Sequence, residues 1–177
     1  MGNEQQAFFS YGSAAMTSDR TDWETPRELF ERARFAAQSL ERRRAVLERM
    51  RATETGGGAG DGVKTSHGAI SDPMRRVDER ITRESVWLRE MEEDTKTIDY
   101  ATAVLYGEDG RTGLSRCIGS GYADLLWLRY LDSRSVKGLS QIYQCGRTTI
   151  YRKLEIALDF IDSNGFKSTI RGVNNVT

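Results

Sequence analysis

The chain has 177 residues, room for one compact domain or two small ones. Its 26 Lys and Arg balance 26 Asp and Glu, which excludes a uniformly basic histone-like chain and an acidic mimic of DNA. Hydrophobic residues make up 38% and charged residues 29%, which favours exposed helix over one large core.

Few residues here can do chemistry. There is one histidine, His67, in a glycine-rich stretch, and two cysteines, Cys117 and Cys145, without CxxC spacing. This set cannot make a conventional zinc site and leaves little for a nucleophile–base pair. No enzymatic activity, no metal and no cofactor is therefore expected. No apolar run approaches the roughly 20 residues that span a bilayer. Met1 to Gln6 lack the basic-then-apolar order of a signal peptide. The expectation is a cytoplasmic protein with reduced cysteines and no membrane partner.

The zero net charge hides an uneven distribution. Residues 20–52 hold nine basic and six acidic side chains, a net of +3, and residues 74–110 hold six and ten, a net of −4. Residues 111–177 hold ten basic and five acidic, a net of +5, so a polyanion would dock on the C-terminal third.

Residues 1–24 are polar around an apolar island at Phe8, Phe9 and Tyr11 and are expected to form a flexible arm. A helix is predicted from Thr25. Thr25 caps, Pro26 fits the first helical position, and Glu28 completes a capping box. Leu29, Ala33, Ala36, Leu40, Arg43, Leu47 and Met50 then alternate at spacings of four and three, a heptad seam with one polar step at Arg43. The predicted end is near Arg51. Residues 53–71, with the run Gly56 to Gly62, read as a linker. Gly62-Val63-Lys64-Thr65 has the wrong spacing for a phosphate loop, and no apolar strand precedes it.

Asp72-Pro73 restarts a helix predicted to run to about Tyr106. Met74, Val77, Ile81, Leu88, Met91, Ile98 and Leu105 are its expected seam, with Glu84, Thr95 and Thr102 as polar members. Together, residues 25–106 are predicted to form a long antiparallel hairpin, or seams that pair with a second copy. Five glycines within residues 107–121 are expected to form a hinge. A helix over Tyr122–Leu131 follows, with Leu125, Leu126, Leu128 and Leu131 inward. A short helix carrying Val136, Leu139, Ile142 and Tyr143 comes next, then the turn Gln144-Cys145-Gly146. The last helix, Arg147–Ile161, turns Ile150, Leu154, Ala157, Leu158 and Ile161 inward. Asn164-Gly165 stops it, and residues 164–177 are left as a tail.

Helix, short turn, helix, with another helix in front, is the layout of a helix-turn-helix, expected over residues 122–163. Leu139 and Ser140 fit its apolar-then-small pair, Cys145 the apolar residue of its turn, and Ile150 the buried residue of its recognition helix. That helix would expose Arg147, Thr148, Thr149, Tyr151 and Arg152 to a major groove. Arg chelates guanine, and Thr bonds a base edge or touches a thymine methyl. Arg134, Lys137 and Lys153 are candidate phosphate contacts.

Leu126-Trp127-Leu128-Arg129-Tyr130-Leu131, Leu139-Ser140, Arg147-Thr148-Thr149-Ile150-Tyr151-Arg152 and Ala157-Leu158 resemble the promoter-reading region 4 of bacterial sigma factors. The wider layout, over about residues 71–166, resembles the sigma-like late-transcription regulators of phages and prophages, the RinA and ArpU types. The resemblance implies a phage-encoded transcription regulator in a bacterial host cytoplasm that binds double-stranded promoter DNA and touches host RNA polymerase. Three positions depart from the pattern. Gly138 stands where a polar helix former is usual, Gln144 replaces the common turn glycine, and Gly146 replaces a Ser or Thr cap. A homodimer is expected, since one helix-turn-helix reads few base pairs. The competing reading is an interaction protein that docks on a host complex through the hairpin.

Overall fold

A computed structural model describes residues 25–55 and 73–173, which are all-helical, with no strand among them. The arm expected at 1–24, the glycine run of the linker and residues 174–177 lie outside the described residues.

Helix α1 is Pro26–Thr55, four residues longer than its predicted stop near Arg51. The Thr25 hydroxyl accepts the Glu28 N–H at 3.2 Å, as a capping box requires. The Glu28 carboxylate turns forward to Arg32 at 2.9 Å. The predicted seam is the buried face: Leu29, Ala33, Ala36, Leu40 and Leu47 are all buried, and Met50 is half-buried.

Helix α2 is Pro73–Tyr106. It lies along α1 as the second member of a long helix pair. Arg43, the polar step of the first seam, reaches Asp94 at 2.6 Å and Glu90 at 2.9 Å. At the other end Leu29 and Ala33 share a core with Ala101, Val104 and Leu105, so the two helices run in opposite directions.

The seam predicted for α2 is corrected over its first half. Met74, Ile81 and Leu88 are exposed, and the side turned to α1 carries half-buried Trp87, Met91, Asp94 and Ile98 and buried Ala101. A straight helix drifts by roughly 20° per heptad against a strict seven-residue repeat. The predicted stripe faces α1 at Leu105 and has turned outward by Ile81.

Residues 107–121, expected as a hinge, hold α3 (Gly113–Ile118) and the first turn of α4 (Ser120–Leu126). Gly113 has φ +70°, and a Cβ there would lie 2.4 Å from the Gly107 nitrogen, so α3 starts hard against the end of α2. The α4 helix continues as a π-helical turn, Trp127–Leu131. Then come α5 (Val136–Ile142) and α6 (Arg147–Asn164).

The expected tail contains a further helix, α7 (Phe166–Ile170). Gly165, at φ +78°, ends α6 and redirects the chain. Phe166 meets Tyr100 edge-on with ring centroids 6.1 Å apart, and Thr169 is fully buried. The Thr112 hydroxyl donates to the Ile170 carbonyl at 2.8 Å, which pins α7 beside α3. Five residues are too few to show a helical period, so the sequence gives no sign of α7.

One apolar cluster holds the fold. It joins Leu29 and Phe30 of α1 and Leu105 of α2 to Leu114, Leu126, Leu139, Ile150 and Ile161 of the later helices. No helix among the described residues is long and apolar enough to cross a membrane.

Candidate nucleic-acid interface

The candidate site is α5, α6 and the turn between them. Ser135 starts α5 in an extended conformation, and its hydroxyl accepts the Gly138 N–H at 3.1 Å, a side-chain N-cap. Leu139 is fully buried, and Tyr143 packs partly against the core. Ile142 was expected inward and is 55% exposed. In so short a helix Tyr143, one residue on, takes the inward place.

The turn is closed by its own side chains. Gln144 adopts φ +49°, the left-handed conformation that glycine usually supplies. The Ser140 hydroxyl donates to the Cys145 carbonyl, and the half-buried Cys145 packs on the core. The sequence marked Ser140 only as small; its bond across the turn had no local signal. Gly146 then enters α6 at φ −65°, ψ 151°, with no side-chain cap. The first N–H groups of α6 are therefore left unbonded by any capping side chain.

Burial of Ile150, Leu154, Ala157, Leu158 and Ile161 fixes the rotation of α6. Arg147, Thr148, Thr149, Tyr151 and Arg152 are exposed as a result. Lys153 is half-buried, and Lys137 is exposed on α5. Arg147, Arg152, Lys153 and Lys137 make no ion pair among the described residues. The acidic residues of α6, Glu155, Asp159 and Asp162, all follow its basic residues along the helix. Arg134 is exposed but differs from the others: its Nε lies 2.6 Å from Asp132, and its carbonyl accepts from Arg129 at 3.2 Å. Its charge is offset locally.

Three contacts fix this module on the helix pair. Phe30 of α1 stacks obliquely on Tyr130 with ring centroids 5.6 Å apart. Gln38 of α1 donates to the Ser133 hydroxyl at 3.1 Å, and Ser133 is held at φ +54°. Tyr106, the last residue of α2, donates its hydroxyl to Asp124 of α4 at 2.7 Å. Burial, then that hydrogen bond, then the Asp124 charge, push the Tyr106 phenol well above its ordinary range.

Both cysteines are free thiols, and burial pushes the Cys117 thiol up, so it is a poor nucleophile. Among the described residues no group of three or more His, Cys, Asp and Glu could hold a metal ion. Comparison of the chain with protein-family models, curated proteins and solved structures finds no match.

Proposed function

We propose that this protein is a DNA-binding transcription regulator that docks α6 in the major groove of duplex DNA as a helix-turn-helix. The observation that carries the reading is the sorting of charge along α6: unpaired Arg147, Arg152 and Lys153 come first, and every charge from Glu155 onward is acidic. A phosphate backbone attracts the first half and repels the second, so the N-terminal half of α6 enters the groove.

Arg147 and Arg152 then donate to base edges, guanine being the geometric match. Thr148 bonds a base edge or packs on a thymine methyl, and Thr149 and Tyr151 line the same mouth. Lys137 and Lys153 hold phosphates, and the uncapped N–H groups of α6 add oriented donors. The left-handed Gln144 and the Ser140–Cys145 bond support the reading, since they set the sharp turn that lets α5 brace α6. The likeness to sigma region 4 extends the reading to promoter DNA and to contact with RNA polymerase.

The test is binding of the full chain to labelled promoter-region and random duplexes across a salt series. The reading expects one duplex to bind far better and log affinity to fall steeply with log salt. No binding to any duplex at low salt would overturn it.

A further inference from the structure

The outward sides of α1 and α2 are apolar stripes of opposite charge. On α1, Phe35 and Val46 are 67% and 38% exposed. Arg42 and Arg49 fall on the same four-and-three repeat, are exposed, and make no ion pair among the described residues. Acids at the start of this side are already held, Glu28 by Arg32 and Glu31 by Arg34. On α2, Met74, Ile81 and Leu88 recur every seven residues and are 66%, 58% and 50% exposed. Exposed Asp78 lies one turn on from Met74, and exposed Asp99 lies five turns on from Ile81. Neither acid has an ion-pair partner among the described residues.

A chain cannot join its own two stripes, because α1 and α2 already meet through different faces, the Leu29–Leu47 seam and the Asp94 side. We propose that a second copy of this chain covers them, the α1 stripe of one copy packing on the α2 stripe of the next. With α1 of one copy antiparallel to α2 of the next, Phe35 buries against Leu88 and Val46 against Ile81 and Met74, and Asp78 falls between Arg42 and Arg49, which lie roughly 10 Å apart along α1. Pairing like with like would set arginines against arginines, or aspartates against aspartates, which selects the head-to-tail arrangement. Such a contact is heterologous: a pair of copies keeps one free stripe of each kind, and association continues past two. The inference does not depend on DNA binding.

Sedimentation velocity of the full chain over a concentration series tests it. The average mass of the native sequence is expected to rise above the 20.0 kDa of one chain as concentration increases. Phe35→Glu and Leu88→Glu each remove one stripe, and each is expected to weaken association by about tenfold or more. Both positions are exposed, so circular dichroism of the variants should match that of the native chain. An equimolar mixture of the two variants restores one intact contact and should stop at two chains. A native chain that stays monomeric overturns the proposal. So does a Phe35→Glu chain that associates like the native one, which would place the contact between two α2 stripes. A mixture no heavier than its separate components overturns it as well.

Discussion

The guanidinium of Arg43 lies 2.6 Å from the carboxylate of Asp94, inside the contact between the two long helices. The only charged member of the α1 seam thus meets a charged member of the facing side, and Glu90 adds a second bond at 2.9 Å. Both side chains of the closer pair are about three-quarters buried. Arg43→Ala should cost about 1–2 kcal/mol, between the values for exposed and buried pairs. The double variant Arg43→Leu with Asp94→Leu should recover most of that loss, because an apolar pair carries no desolvation penalty. Urea denaturation of the single and double variants closes the cycle.

At the proposed DNA face, Arg147→Ala should cost about 1–3 kcal/mol on the preferred duplex and relax its sequence preference. Lys137→Ala should weaken all duplexes alike and reduce the salt slope by about 1. Anisotropy titrations on specific and random duplexes separate these behaviours. A uniform loss for Arg147→Ala would make that residue a phosphate contact.

Two residues make the α5–α6 unit less stable than it could be. Gln144 bears a left-handed backbone, so Gln144→Gly should stabilise by about 0.5–1 kcal/mol, the relief of strain less the entropy of glycine. Gly138 lies within α5, where a Cβ would meet only the Ser135 hydroxyl at an ordinary 3.5 Å. Gly138→Ala should likewise gain about 0.5–1 kcal/mol. Thermal melts of both variants provide the check.

Gly113 has the opposite character. Its positive φ and the 2.4 Å approach to the Gly107 nitrogen leave no room for a methyl group. Gly113→Ala should cost about 3 kcal/mol or more. Gly121→Ala, with nothing within 4 Å of the added Cβ, is the matched control and should be close to neutral.

The Tyr106–Asp124 bond gives a dependence on alkaline pH. The phenol is held neutral in the fold, above its ordinary value of 10.0. Its contribution is complete below that value and is lost as pH rises through the higher folded one. Tyr106→Phe should cost about 1 kcal/mol at neutral pH, where the hydrogen bond is lost. The gap to the native protein should then narrow as the pH is raised above 10.0. The raised tyrosines Tyr100 and Tyr130 are present in both proteins and cancel in this difference.

What could be read from the sequence depended on how far each pattern ran. The α1 seam was legible because it is short enough for heptad drift not to matter, and even its polar step at Arg43 was correctly placed. The α2 seam was legible from Met91 through Ile98 to Leu105, while drift over the long helix carried Ile81 and Leu88 outward. The exposed face of α6 followed from Ile150 and Leu154, which set its rotation. Ile142 was misplaced because α5 is too short for a period to choose between it and Tyr143. Helix α7 was invisible for want of length. The pairing of Arg134 had a signal, an aspartate two residues before it.

The contacts of Phe30 and Gln38 with Tyr130 and Ser133 bear on how the chain matures as it is made. Gln38 precedes Ser133 by 95 residues. At about 5–20 residues per second, α1 leaves the ribosome roughly 5–20 s before its partner exists. During that interval its apolar seam has only α2 to cover it, and the ends of Leu29 and Phe30 stay bare. Final closure therefore trails α1 by that interval, and until the later helices emerge the nascent N-terminal half exposes apolar surface.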